Sequence, residues 1–149
     1  MEPYPDFKEL LELLNKSEVE YLVVGGYALA LLGSPRFTGD LDIYISTHPD
    51  NARKVLAVLH EFGFGSLNIN ETDLSTENQV LQLGVPPVRI DFVTSIDGIK
   101  WEDAWENRER GEWGNVPVAF LSRSDFIANK RAAGRLKDLA DIEALGEIP

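Results

Sequence analysis

Cysteine is absent from the 149 residues, and histidine occurs only twice. That excludes disulfides, thiolate metal sites and a cysteine nucleophile, and with them most zinc chemistry. The same absence fits a reducing compartment. No apolar run approaches the ~18 residues that a membrane-spanning helix needs. The opening Met-Glu-Pro-Tyr-Pro-Asp also lacks the basic-then-apolar layout of an export signal. A soluble, cytoplasmic protein with no membrane association is expected. Basic residues are scarce too: 14 Lys and Arg stand against 25 Asp and Glu, a formal net charge of −11. This balance argues against sequence-independent nucleic-acid binding, which needs a broad basic surface to displace counterions from a phosphate backbone. Five basic residues nevertheless cluster late in the chain, at Arg123, Lys130, Arg131, Arg135 and Lys137. They form either a local anion-facing patch or a solvated helix face.

The hydrophobic content of 44% is enough for one substantial core, and the length suits a single domain spanning residues 1–149. The spacing of Phe7, Leu10, Leu11 and Leu14 predicts a first helix. Tyr21–Val24 reads as a buried strand that stops at Gly25-Gly26, and Tyr27–Leu32 continues as helix until Gly33-Ser34-Pro35 breaks it. Leu41–Ser46 is a second strand. Pro49–Phe62 is a helix with a core stripe at Val55, Leu56, Leu59 and Phe62, ended by Gly63 and Gly65. A short strand is expected at Leu67–Ile69, then a polar turn at 70–78. Strands Gln79–Val85 and Val88–Thr94 follow, joined as a hairpin by Pro86-Pro87. Trp101–Arg110 is a short helix and Val116–Leu121 the last strand, with Ser122 and Asp125 spaced as a capping box for the next helix. A final helix after Gly134 is expected to pack Leu136, Leu139, Ala140 and Leu145. The pattern predicts an α/β or α+β fold, a sheet with helices packed against it.

Chemistry concentrates at Thr38-Gly-Asp-Leu-Asp-Ile43. Residues two apart on a strand share a face, so Asp40 and Asp42 converge and repel unless a cation lies between them. Magnesium suits such a pair, since it takes oxygen ligands and bridges carboxylates to substrate phosphates. The plain alternative is two solvated aspartates at a strand end. Asp91 interrupts the apolar strand Val88–Val93, where a half-buried carboxylate needs a partner. It either joins the other two, in a cluster able to hold two metal ions, or pairs with Arg36, with Arg89 on the opposite face. Gly25-Gly26 lets backbone amides approach a phosphate at the start of a helix, although many such pairs are simply turns. His48 and His60 read as solvated residues. Trp101 and Trp105, four apart, read as a packing face of a helix more readily than as a base-stacking platform; Trp113 could also stack a base.

Gly25-Gly26, then Arg36-x-Thr38-x-Asp40-x-Asp42, then Asp91 on a later strand resemble, in that order, the nucleotidyltransferase superfamily of the polymerase-beta type. The resemblance implies the nucleotidyltransferase fold, a mixed β-sheet with helices packed against it. It further implies metal binding and catalysis by Asp40, Asp42 and Asp91, and triphosphate binding by Gly25 and Gly26, with Lys130 in contact with phosphate. Arg36 and Thr38 would orient the motif or touch phosphate. The implied cofactor is Mg2+, two ions being accommodated and Mn2+ a substitute. The implied reaction moves a nucleoside monophosphate from an NTP such as ATP to a hydroxyl on an RNA end, a tRNA, a protein or a small molecule. The tail, Phe120–Lys130 with Gly134-Arg-Leu-Lys-Asp-Leu-Ala-Asp141, is similar to the branch containing AbiEii-type toxins of toxin–antitoxin systems. Lys137, Asp138 and Asp141 match that tail, although Lys137 and Asp141 at i, i+4 read equally well as a surface salt bridge. Larger toxins of the branch carry an additional helical region for the acceptor. Here the acceptor is expected to be small, held by a second copy, or presented by a partner chain. The alternatives are a catalytically degenerate relative that binds nucleotide or a partner, and a glycosyltransferase, whose Asp-x-Asp needs no third carboxylate.

Overall fold

Strand alternation sorts this sheet into an apolar face and a face that carries chemistry. The computed structural model describes residues 4–65, 67–85 and 87–149. Its elements run α1 (Pro5–Lys16), β1 (Tyr21–Val24), α2 (Gly25–Leu31), β2 (Asp40–Ile45), α3 (Pro49–Leu59), α4 (Glu71–Ser75), β3 (Val80–Leu83), β4 (Arg89–Val93), α5 (Trp101–Asn107), β5 (Glu109–Trp113), β6 (Val116–Phe120), α6 (Arg123–Ala133) and α7 (Leu136–Ala144). The six strands form one mixed sheet in the order β3-β4-β2-β1-β6-β5. The pairs β1/β6 and β2/β4 are parallel, and the remaining neighbours are antiparallel.

Leu41, Ile43 and Ile45 of β2 share one face with Tyr21 and Val23 of β1 and with Ile90 and Phe92 of β4, and all seven are buried. Helix α1 covers this face with Phe7, Leu10, Leu11 and Leu14, and the Tyr21 hydroxyl donates to Asn15 of α1 at 2.8 Å. Helix α3 buries Ala52, Val55, Val58 and Leu59. Val58 thus takes the place expected of Leu56, and after Leu59 the helix widens into a π-type turn, His60–Phe64, with Gly63 at φ 110°. The other face presents Asp40, Asp42 and Tyr44 from β2 and Arg89 and Asp91 from β4.

Several local expectations are corrected. Leu67–Ile69 is not a strand, and Leu67 is exposed. The expected polar turn contains α4, because Asn70 and Asp73 cap its first turn reciprocally. Trp101–Arg110 does not continue as helix: α5 ends at Asn107 and the chain enters edge strand β5. Gly114 and Asn115 then turn back into β6 with φ of 57° and 67°, the two-residue hairpin in which both central residues need positive φ. The hairpin of β3 and β4 forms, though Pro86 of its expected connection lies outside the described residues. Ser122 accepts from the Asp125 amide at 3.1 Å and caps α6, which ends at Gly134 in a left-handed conformation. Among the described residues no helix is long and apolar enough to cross a membrane.

Candidate active site

The parallel pairing of β2 with β4 sets Asp42 directly opposite Asp91 and Asp40 opposite Arg89. Same-face spacing along each strand and register across the pair therefore bring three carboxylates to one place. One oxygen from each of Asp40, Asp42 and Asp91 lies within 4.8 Å of the others. Asp91 is buried, and the other two are partly exposed. The donor set is all oxygen, so it suits a hard divalent cation.

Such crowding is costly in the absence of a cation. Burial first, then the neighbouring Asp40 and the charge of Asp91, push the Asp42 carboxyl up to about 8, against which Lys130 acts weakly. Asp42 accordingly keeps a proton at neutral pH and shares it with Asp40, whose own pKa is lowered chiefly by that hydrogen bond. Asp91 is met by Arg89, whose Nε and Nη2 donate to its two oxygens at 3.1 and 2.9 Å. The expected alternative partner, Arg36, is elsewhere, and Arg89 does not occupy the opposite face. Arg89 and Asp91 are two residues apart on one strand, so the spacing rule that joined Asp40 to Asp42 also identifies this pair.

Gly25 follows β1, whose last residue Val24 pairs with Asp42. Its φ is +67°, and a Cβ on it would lie 2.3 Å from Asp42 Oδ2. Glycine is thus required twice, by the left-handed backbone and by the carboxylate that fills the side-chain position. At Gly26 a Cβ would meet Thr38 Cβ at 2.8 Å and Arg36 Nη1 at 3.2 Å. The Thr38 hydroxyl donates to the Asp40 carbonyl at 3.2 Å. No side chain caps the start of α2, which leaves its first-turn amides without intrahelical partners.

Arg36 and Lys130 belong to a second cluster. Arg36 forks onto Asp141 at 2.8 and 3.1 Å. The buried Lys130 ammonium lies 3.2 Å from Asp138 and 3.5 Å from Asp141. Arg135 closes the set onto Asp138 at 2.7 Å. Burial would raise the Asp138 pKa, but the bonds from Arg135 and Lys130 outweigh it, and the net shift is downward. Helix α7 therefore buries Asp138, Asp141 and Ile142, and the expected stripe fails at Leu136, which is 87% exposed, and at the exposed Ala140, while Leu139 and Leu145 are partly buried. Asp141 is engaged by Arg36 and Lys130 rather than by Lys137, so the surface salt bridge is corrected as well.

His48 caps α3, its Nδ1 accepting from the Asp50 amide at 3.2 Å. Trp101 and Trp105 stack at 5.5 Å between ring centres, and Trp101 meets Tyr44 edge-on at 4.9 Å.

Comparisons with known proteins bear on the fold and the family. A candidate nucleotidyltransferase of Thermotoga maritima superposes with a TM-score of 0.62 at 19% identity, over 94% of this chain and 88% of that one. An antigenic nucleotidyltransferase-like protein of Paracoccidioides brasiliensis superposes with a TM-score of 0.53 at 18% identity, over 93% and 71%. These likenesses show the fold. No match is found among curated protein sequences. The family model of aminoglycoside-2''-adenylyltransferase matches residues 6–131, most of the chain. By that match, the chain belongs to the aminoglycoside-2''-adenylyltransferase family of nucleotidyltransferases.

Proposed function

We propose that the protein transfers a nucleoside monophosphate, adenylate from ATP in the first instance, to a hydroxyl acceptor in a Mg2+-dependent reaction. The observation that carries this reading is the meeting of three carboxylates beside the Gly25 turn. Bound divalent cations, magnesium or manganese, would supply Lewis acidity at the α-phosphate and neutralise the departing pyrophosphate. Asp40, Asp42 and Asp91 would hold them, with Asp42 giving up the proton it carries in their absence. The attacking oxygen forms a bond to the α-phosphorus as the bond to pyrophosphate breaks, and the hydroxyl proton passes to the carboxylate cluster or to solvent.

Gly25 keeps the backbone close to Asp42, and the uncapped amides after it would receive phosphate oxygens. Arg89 is paired with Asp91 and, among the described residues, is the one cationic side chain bonded directly to the triad. Arg36 and Lys130, committed to Asp138 and Asp141, position the turn and the entry to β2; Lys130 acts on Asp42 through its field.

The test is incubation with each α-labelled NTP and Mg2+, together with an aminoglycoside, cell RNA or cell protein as separate acceptors. Label from ATP appearing on one of these in the wild type, but not in Asp42→Asn, is the expected result. An aminoglycoside hydroxyl is the acceptor named by the family, and an RNA end or a protein hydroxyl that of the toxin-like tail. Nucleotide binding without transfer to any of them would leave a nucleotide-binding relative as the better reading.

A further inference from the structure

At the far end of the same sheet face lies a cavity of about 1120 Å3, to which the triad contributes no residue. Asp40 and Asp42 stand at the start of β2, whereas the cavity is reached by Tyr44 within the strand and by Ser46 just past its end. Its wall is aromatic: Tyr44 meets Trp101 edge-on, and Trp101 stacks on Trp105. Arg108 already lies over the Trp105 ring, 3.9 Å from its centre, so this wall accepts cations.

Three observations define what the cavity would hold. Tyr44 is only 2% exposed, yet its hydroxyl has no hydrogen-bond partner among the described residues, and the side chain lines the cavity. The ring is buried and the hydroxyl is the tip that opens to the cavity, free to accept from a donor there. Glu18, Glu20, Glu77 and Glu102 line the same space, and none of their carboxylates has an ion-pair partner among the described residues. Glu102 and Glu77 lie close enough to Tyr44 to act on its hydroxyl. Among the lining residues Lys54 and Lys100 oppose this charge, with Arg108 behind Trp105, and Asp50 is taken by Arg53. The groups on offer are therefore acceptors: carboxylates, a phenol oxygen and indole faces.

We propose that this cavity is a binding site for a small polyamine, a flexible ligand with two or more ammonium groups, separate from the nucleotide site. One ammonium would donate to the Tyr44 oxygen against Trp101, and another would be held between Glu77 and Glu102. A nucleotide or other anion would meet unpaired carboxylates there. The proposal is independent of nucleotidyl transfer.

The experiment titrates spermidine into the metal-free protein at ~0.15 M salt, where long-range attraction to the acidic surface is screened beyond about 8 Å. Heat and indole fluorescence are followed together. One saturable site with a change in indole emission is expected. Glu77→Gln/Glu102→Gln should weaken it tenfold or more, and Tyr44→Phe severalfold. Glu9→Gln/Glu12→Gln on the exposed side of α1 removes the same charge elsewhere and should change nothing. Asp42→Asn, at the triad, should leave the site unaltered. The absence of saturable binding overturns the proposal. So does equal weakening by the Glu9/Glu12 variant, which would mark general charge attraction, or loss of binding in Asp42→Asn, which would place the polyamine at the triad.

Discussion

Two carboxylate clusters lie close together in this protein, and they are balanced differently. Asp138 and Asp141 on α7 are surrounded by three cations, Lys130, Arg36 and Arg135. Among the described residues, Asp40, Asp42 and Asp91 make direct ion-pair contact with one cation, Arg89. The first cluster is complete in itself, and its bonds tie α6, α7 and the loop before β2 together. The second holds a surplus of negative charge that the chain relieves only by protonating Asp42. On the proposed function, the charge missing from the second cluster is a ligand's.

The largest effect should come from breaking the complete cluster. Lys130→Met leaves Asp138 and Asp141 facing each other in a buried setting, and should cost about 3 kcal/mol by urea denaturation. Unchanged stability would mean that the arginines alone satisfy both carboxylates. Gly25→Ala attacks the incomplete cluster sterically. Its Cβ would overlap Asp42 Oδ2 and be held at a φ of +67°, so a loss of about 2 kcal/mol is expected, along with weakened Mg2+ binding by calorimetry. A well-folded Gly25→Ala protein that binds Mg2+ like the wild type would remove the turn from the site.

Asp42→Asn should behave in the opposite way to Lys130→Met. It removes one repelling charge and should leave the metal-free protein as stable as before, or more stable by up to roughly 1 kcal/mol. The sign of the pH dependence follows from the raised pKa. The folded state holds a proton on Asp42 from the ordinary value of 3.8 up to about 8. The stability this contributes is complete below 3.8 and is lost as pH rises through about 8. Asp40, with its lowered pKa, works in the reverse sense, but only at and below 3.8. Metal-free wild type should therefore lose melting temperature between pH 4 and 8 more steeply than Asp42→Asn, and Mg2+ affinity should climb over the same window as the proton leaves. Parallel pH profiles for the two proteins would show that Asp42 is ionised throughout.

These differences were only partly legible in the sequence. Alternation placed Asp40 and Asp42 on one face, and apolar spacing found α1, β1, β2 and β6, because both periods are local. The in-register pairing of Asp42 with Asp91 was beyond reach of any local rule: parallel neighbours are far apart in sequence, and the register is fixed by the packed core beneath. Helix α7 was misread for a related reason. Asp138, Asp141 and Ile142 recur at i, i+3 and i+4 as core residues do, but a rule that turns aspartates outward cannot foresee cations arriving from α6 and the loop before β2. Strand β5 carries few apolar residues because an edge strand is held by its backbone, yet Gly114-Asn115 announces its hairpin.

Arg89 distinguishes a structural partner from a member of the site, and its effects are the smallest. It is partly exposed, and solvent screens its pairing with Asp91, so Arg89→Gln should scarcely alter stability. Its charge nevertheless sits at the rim of a cluster of three carboxylates. Removing it makes the surplus more negative, which should tighten Mg2+ binding by roughly two- to fivefold in the absence of nucleotide, the scale of one screened surface charge. The same change should weaken NTP binding by a similar factor, because the triphosphate loses a nearby cation while gaining none. Calorimetric titration of Mg2+ and of each NTP, measured separately at fixed salt, reads both signs. Opposite shifts would mark Arg89 as part of the electrostatic balance of the site, whereas weaker binding of both ligands would mean that it serves to hold Asp91 in position.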